Sequence, residues 1–336
     1  NCHNMCPQQY FCEYVLGWRG SSGIKADKGT IVHKVLEVMA LAKKAEQDNL
    51  KSFEDDVVGN FPCDGYDIDK LTEEIYKYYS DASPQHNWSD KDLRDCKKWA
   101  WKALEFNDGM FDPRKRKIVD AEPHFDFVID EPWADYKYTL NGESVCGKLA
   151  MKGTIDLITE VDDGVYEIID WKTGRRLDWA TGQEKTFAKL LKDPQLRIYH
   201  YAASKLYPEA KQIIVTIYFI NDGGPFTICF PRSEIEKTKI MVKEKFDQIK
   251  STRIPRLKRS WKCTKLCSQG KTTFEDTSIH PMVETRHGQV TAYGEYMTKC
   301  EQIRYEIERK GLQQVTEEYT APGHNVAKYK APGSIE

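Results

Sequence analysis

The tightest constraint on this chain comes from two short segments around one turn. The first is Gly153-Thr154-Ile155-Asp156. The second is Tyr166-Glu167-Ile168-Ile169-Asp170-Trp171-Lys172-Thr173-Gly174, and Asp162-Asp163-Gly164 lies between them. Strand side chains alternate between faces, so Asp170 and Lys172 share one face and Trp171 points to the other. The turn sets the register. A three-residue hairpin loop with Gly164 in the left-handed position pairs Val161 with Val165 and brings Asp156 opposite Asp170. A two-residue or four-residue loop would send the two carboxylates to opposite faces. The stretch can therefore gather two carboxylates and an ammonium on one face of a sheet. The plainer alternative is a half-exposed hairpin carrying ordinary surface charges.

Carboxylate oxygens are hard ligands suited to Mg²⁺ or Mn²⁺. An ion held there can lower the pKa of a water and polarise a phosphoryl oxygen. Lys172 can orient that water or neutralise developing charge. Two helical elements add to the pattern. Asp193-Pro194 reads as an N-cap and first-turn proline, after which Gln195 and Tyr199 share a face at i and i+4. Upstream, His33 closes Gly29-Thr30-Ile31-Val32-His33 and projects away from the apolar stripe of Ile31, Val35 and Val38. Glu37, one turn on, is placed to hold its free ring nitrogen.

Periodicity predicts helices over 28–47, with Asp27 as N-cap, and over 70–81 and 90–107. The period then changes. Strands are expected over 119–130, 136–142, 147–160 and 165–172, joined by Asp/Gly/Asn-rich turns. A helical stretch over 182–206 precedes a continuously apolar strand at 212–220, the type buried on both faces, and a returning strand at 225–230. Helices are expected over 231–251 and 289–311, and the tail after 312 reads as loosely attached. No repeat or low-complexity tract interrupts this order. Helix, mixed sheet and helix in succession imply an α/β core with helical extensions. We divide it into an N-terminal cysteine segment (1–27), a core (28–232) with a helical insertion at about 45–118, a C-terminal helical and cysteine region (233–311) and a tail (312–336).

The 50 Lys and Arg nearly balance the 52 Asp and Glu, for a net charge of −2. That sum hides patterning. Residues 46–74 carry ten acids and two bases, whereas 250–265 carries seven bases and no acid: Lys250, Arg253, Arg256, Lys258, Arg259, Lys262 and Lys265. A strip of this kind is either a solvated surface or a grip on phosphates. Arg114 to Lys117 form a smaller basic cluster. The longest strongly apolar run, from Ile213 to Ile220, is too short to cross a bilayer. No targeting leader opens the chain, and Asn1 in place of Met implies that the native chain begins upstream. The cysteines at 2, 6 and 12 and at 263 and 267 cluster like ligands. Cys63, Cys96, Cys146 and Cys229 read as small buried or half-buried side chains.

Taken together and in this order, the motifs resemble the PD-(D/E)XK nucleases, in the branch with the RecB nuclease domain, the AddB-type helicase–nucleases and the CRISPR-associated adaptation nucleases. The matching elements are GxxxH (Gly29 and His33), GxxD (Gly153 and Asp156), DxK with trailing Thr-Gly (Asp170, Lys172, Thr173 and Gly174) and QxxxY (Gln195 and Tyr199). Cys6-Pro7 with Tyr10, Tyr14 and Gly17 is similar to the aromatic-rich opening of that branch. The likeness runs from about 6 to 267.

The resemblance implies a restriction-endonuclease-like core and an Mg²⁺- or Mn²⁺-dependent deoxyribonuclease, of the exonuclease kind. It makes Asp156 and Asp170 metal ligands, with His33 and the Trp171 carbonyl, and Lys172 the catalytic lysine. Gln195 and Tyr199 brace the site or touch the DNA, and Glu122 supports a second metal or water. Many members of the branch hold a [4Fe–4S] cluster through one early and three late cysteines. Cys6, Cys263 and Cys267 match. The expected third late cysteine is missing, Thr272, Thr273 and Phe274 standing there, which leaves Cys300, or else Cys2 or Cys12. Zinc on Cys263, Cys267 and His280 or His287, or no metal, are the other readings. DNA is the implied partner, gripped by Arg253, Arg256, Lys258, Arg259 and Lys262, with Trp171, Trp179 or Trp261 stacking on bases. No GxxxxGK[ST] motif is present, so unwinding would need a helicase or recombination protein. The implied setting is the cytoplasm of a bacterium or phage-infected cell. Readings of another class are a catalytically silent nucleic-acid-binding module and a cysteine-ligated structural metalloprotein.

Overall fold

The structure is a computed structural model and describes residues 2–20, 22–140, 142–178, 181–265, 267–271, 283–285, 288–290 and 298–324. Two compact units divide the chain. One comprises Ser22–Asp126 and Met151–Met241; the other comprises Asn1–Ser21, Phe127–Ala150 and Val242–Glu336.

The first unit is built on a five-stranded mixed sheet. Its order is Gly224–Cys229, Gln212–Phe219, Val165–Lys172, Leu157–Asp162, Lys117–Ala121. Gln212–Phe219 runs parallel to Val165–Lys172, and the other neighbours are antiparallel. A parallel pair needs a crossover, which the helix Pro194–Leu206 supplies. On the opposite face lies the long helix Ile24–Gln47. Its Ile31, Val32, Val35, Leu36, Val38 and Met39 are all completely buried, in one cluster with Leu157, Ile169, Trp171 and Tyr218 of the sheet. Each such aliphatic side chain contributes about 1.5–3 kcal/mol. The helices Ile68–Ala82 and Asp90–Glu105 cover the other side of the long helix, which is why its buried residues extend beyond a single stripe.

Several sequence expectations change in detail. The long helix begins four residues early, capped by the extended backbone of Gly23. Asp27 therefore sits inside the first turn, where its carboxylate takes Ser22 and His86. The strand expected over 119–130 breaks into Lys117–Ala121 and His124–Val128, because Glu122 takes a left-handed φ of 51° before Pro123. The stretch expected as one strand over 147–160 is three, with Ala150–Thr154 separate from Glu143–Lys148 and Leu157–Asp162. The helix expected over 182–206 is a single turn, Phe187–Leu190, followed by Pro194–Leu206. Pro194 fixes a new helix start, and a preceding residue resists the α conformation.

The hairpin has a two-residue loop, not three: Asp162 pairs with Val165. A bulge at Val161 then restores the register, so Leu157 pairs with Ile169 and Asp156 falls opposite Asp170. Gly164 does take the left-handed position, with φ 68°.

The second unit has its own small core of Phe11, Cys12, Leu16, Ile303, Ile307 and Val315. The tail is not loose at its start: Leu312–Tyr319 is a helix with Val315 fully buried, and Trp18 Nε1 donates to the Tyr319 carbonyl at 2.9 Å. Helix Lys299–Lys310 covers only the end of the helix expected over 289–311; 283–285 and 288–290 pair as short strands, and 291–297 lies outside the described residues. Among the described residues, no helix is long and apolar enough to cross a membrane.

Candidate active site

Asp156, Asp170, Lys172, Gln195, Tyr199, His33 and Trp171 come together in the first unit. Asp170 is completely buried near the end of Val165–Lys172. Lys172 Nζ lies 2.7 Å from its carboxylate. Gln195 Nε2 stands 3.4 Å from Asp170 Oδ1 and donates to the Tyr199 hydroxyl at 2.9 Å. Asp193 caps the helix bearing both residues, accepting the Gln195 N–H at 3.0 Å, as its sequence predicts. Asp156 Oδ2 accepts the Trp171 backbone N–H at 2.8 Å and faces His33 Nδ1 at 3.4 Å.

Two glycines of the motifs have steric reasons to be glycine. A Cβ on Gly29 would lie 2.7 Å from Thr173 Oγ1, so this glycine lets the long helix approach the end of the catalytic strand. A Cβ on Gly153 would lie 2.6 Å from Cζ of Phe125. Phe125 is 2% exposed, and its ring meets Tyr199 edge-on, at 6.5 Å between centroids and 83°. The sequence reading missed Phe125. Its one signal is a glycine placed in a strand just before the carboxylate.

Charge is finely divided here. Burial pushes the Asp170 carboxyl up to about 6, against the pull of Lys172 and with the repulsion of Asp156. Burial would raise Asp156 as well, but His33, Lys172 and the Trp171 N–H outweigh it and hold that carboxyl below the usual range. Burial would depress Lys172 and His33, yet the carboxylates win in both cases, Asp170 chiefly for Lys172 and Asp156 for His33. Lys172 is therefore a fixed cation and no ready base.

The expected clamp of Glu37 on His33 is replaced by another arrangement. Glu37 binds Lys34 at 2.7 Å and lies close enough to Glu122 to feel its charge. Burial pushes its carboxyl up to about 7, and Glu122 adds to the rise while Lys34 opposes it. Glu122, in its left-handed conformation, donates its N–H to the Asp156 carbonyl at 3.0 Å. The carboxyl pair thus lies beside the Asp156 strand, and strain of this kind collects at functional sites.

The donor set fits a hard divalent ion in type: two carboxylates facing across a ladder, one of them fully buried, with an imidazole at the rim. Among the described residues, Asp170 Oδ2 accepts no well-directed hydrogen bond, although Lys172 is near. As they stand, the donors are engaged with one another. Among the described residues, no three His, Cys, Asp or Glu side chains converge in a metal-holding arrangement.

Trp171 is 1% exposed and cannot stack on a base, which corrects that expectation; Trp261 is 53% exposed. Trp179, His280 and His287 lie outside the described residues, as do Thr272, Thr273 and Phe274. Arg253, Arg256, Lys258 and Arg259 are exposed in the second unit and Lys262 is half-buried. Arg259 pairs with Glu301 at 2.6 Å, and Lys258 donates to the Asn4 carbonyl at 2.8 Å. The smaller cluster is spent on the protein itself: Arg114 grips Asp112, Arg116 is bound to Glu167 and Thr159, and Lys117 to Glu160.

The second unit also holds Cys6, Cys12, Cys263, Cys267 and Cys300. Burial pushes the Cys300 thiol up to about 12, and Cys6, Cys267 and Cys263 each add to the shift. Burial raises Cys12 too, followed by Cys300, Cys267 and Cys6. Cys300 and Cys12 each feel the charge of other cysteines, and among the described residues no three of these side chains converge as a metal site requires. Thiols raised in this way stay protonated until a metal displaces the proton. Cys63 and Cys96 are buried as expected, whereas Cys146 and Cys229 are exposed.

A sequence model described as the PD-(D/E)XK nuclease superfamily matches residues 1–269. No curated protein matches the chain. Among solved structures, one from Eubacterium rectale, described as a "putative exonuclease", is similar at 12% identity and TM-score 0.36, over 63% of this chain and 74% of that one. Another, described as SSO0001, is similar at 15% identity and TM-score 0.25, over 70% of this chain and 81% of that one.

Proposed function

The chain belongs to the PD-(D/E)XK nuclease superfamily, and from that premise we propose that it is a metal-dependent DNA nuclease acting as an exonuclease. The observation that carries this reading is the junction of Asp156, Asp170 and Lys172 with Gln195 and Tyr199 at one buried point. Asp156, Asp170 and His33 would hold Mg²⁺ or Mn²⁺, with the Trp171 carbonyl completing the set. Such an ion supplies Lewis-acid polarisation of a phosphoryl oxygen and a lower pKa for water. Lys172 keeps its proton and offsets the charge that develops on the attacked phosphate. Gln195 and Tyr199 hold the Asp170 carboxylate in one orientation, and Glu122 with Glu37 forms an acidic flank. Water attacks the phosphodiester in line, and the attacked P–O bond breaks to leave a phosphate and a hydroxyl end.

DNA is the partner, and Arg253, Arg256, Lys258, Arg259 and Lys262 are proposed as phosphate contacts. Cys6, Cys263, Cys267 and Cys300 are proposed to hold a [4Fe–4S] cluster, with Zn²⁺ as the competing occupant. The neighbouring thiols support this, and the role is structural, since binding free energy of a cluster adds to folding. Anaerobic purification with a visible spectrum and iron and zinc analysis decides among cluster, zinc and neither. The setting we propose is recombination, repair or phage DNA processing, with a helicase or recombination protein supplying unwound ends.

The test compares end-labelled linear single-stranded, linear duplex and closed circular DNA with Mg²⁺ or Mn²⁺, wild type against Lys172→Ala. Metal-dependent loss of linear DNA that the substitution abolishes is expected. Equal activity in the variant would remove the catalytic assignment.

A further inference from the structure

A surface that the sequence reading passed over immediately precedes the helix that carries Gln195 and Tyr199. Residues 173–192 carry five bases (Arg175, Arg176, Lys185, Lys189 and Lys192) against two acids, Asp178 and Glu184. Within this stretch the single turn Phe187–Leu190 buries Leu190 but leaves Phe187 48% and Leu191 36% exposed. Leu191 keeps a helical backbone, so the two exposed apolar side chains lie at i and i+4 on one side. Truly exposed large apolar groups in adjacent positions mark a binding surface more often than a plain one.

The neighbouring charges point to the occupant. Lys192 is exposed, and no acid among the described residues pairs with it. Lys189 is held only loosely, 3.4 Å from Gln183 Oε1 and 3.8 Å from Asp178. Lys185 is bound to Asp193, the cap of the helix that carries Gln195 and Tyr199. The turn is therefore tied to the catalytic constellation, and five residues separate Phe187 from Asp193. An exposed flat aromatic followed within about one and a half turns by the unpaired Lys192 ammonium matches an unpaired nucleotide, which has a π-face for the ring and a phosphate for the cation. A paired duplex hides its base faces and offers only the phosphates.

Resting on the nuclease reading above, we propose that Phe187 and Leu191, with Lys189 and Lys192, form the docking surface for an unpaired DNA strand entering the active site. Phe187 stacks on a base and Lys192 meets the adjoining phosphate. The surface makes the site selective for single-stranded DNA or for the frayed end of a duplex.

Fluorescence anisotropy on the full chain, in the Lys172→Ala background with Mg²⁺ so that DNA stays intact, tests this. The probes are a labelled single strand and a labelled, covalently closed circular duplex. Phe187→Ala is expected to weaken single-strand binding about 5- to 150-fold, the range for one stacked base. Duplex binding is expected to stay within about twofold, and Phe187→Trp to restore the single-strand affinity. An unchanged single-strand Kd, or an equal loss on both probes, overturns the proposal. Thermal unfolding of Phe187→Ala alongside the wild type checks the fold, which an exposed side chain should not disturb. Hydrolysis of a small aryl phosphodiester by wild type but not by Lys172→Ala separately reads the nuclease assignment, so either idea can fail alone.

Discussion

Gly153→Ala tests how the strand before Asp156 supports the site. The added Cβ would stand 2.6, 3.0 and 3.3 Å from Cζ, Cε1 and Cε2 of Phe125. Carbon atoms rest at about 3.5–4.0 Å, so the ring or the strand must retreat by about 1 Å. Phe125 is 2% exposed and Tyr199 is 9% exposed, and the two rings meet edge-on, so a retreat of Phe125 presses on Tyr199. Overpacking of this kind costs about 1–3 kcal/mol. The push travels through Tyr199 and Gln195, whose amide stands 3.4 Å from Asp170 Oδ1. Misplacement of about 1 Å at a reacting centre can cost about 10²-fold in rate. We expect urea unfolding to show a loss of about 1–3 kcal/mol, and kcat on linear DNA to fall about 10- to 100-fold. Adding Phe125→Leu should relieve the contact, so that the double variant recovers stability and part of the rate. A strongly non-additive cycle is the signature. Unchanged stability and kcat in Gly153→Ala, or strict additivity with Phe125→Leu, would refute the reasoning.

Trp171 is 1% exposed and its indole N–H has no hydrogen-bond partner among the described residues. Trp171→Phe removes that unpaired donor, a gain of about 1–3 kcal/mol set against lost packing, so urea unfolding should show a net change within about 1 kcal/mol, whereas Trp171→Ala should cost about 3–5 kcal/mol. Arg116 binds Glu167, which is 8% exposed and also takes the Thr216 hydroxyl at 2.5 Å. Arg116→Met should cost about 3–5 kcal/mol by stranding that carboxylate, and adding Glu167→Gln should return a large part of it. His200 is 2% exposed and burial pushes its imidazole down to about 4. The unfolded chain binds its proton more readily, so this contribution is fully present above about pH 6.5 and is lost as pH falls towards 4, by about 3 kcal/mol. Acid unfolding of His200→Phe should lack that part of the slope.

The parts of the site that were legible were those governed by local periodicity. Alternation alone places Asp170 with Lys172, and Asp193-Pro194 marks the helix that presents Gln195 and Tyr199. The register came out right although the turn did not, because the bulge at Val161 offsets a loop one residue shorter. What stayed hidden depends on contacts distant in sequence. Glu37 turns to Lys34 and Glu122 and away from His33 because Glu122 arrives from another strand in a left-handed conformation. Gly23 caps the long helix through its backbone, a cap with no side-chain signature. The tail helix exists because Val315 finds the apolar surface of Phe11 and Leu16, which no window around 312 can reveal. The basic cluster at 114–117 looks like a nucleic-acid patch until its acids are found on neighbouring strands.

The central claim is that the buried carboxylates work through a divalent ion. The cleavage rate of end-labelled linear DNA against Mg²⁺ concentration, for wild type and Asp170→Asn, tests it most directly. Asp170→Asn keeps the shape of the side chain and removes its charge. The account predicts a wild-type rate that rises from background to saturation with Mg²⁺, and a rate for Asp170→Asn that stays at background throughout. A wild-type rate independent of Mg²⁺, or an Asp170→Asn curve that overlays it, would contradict the account.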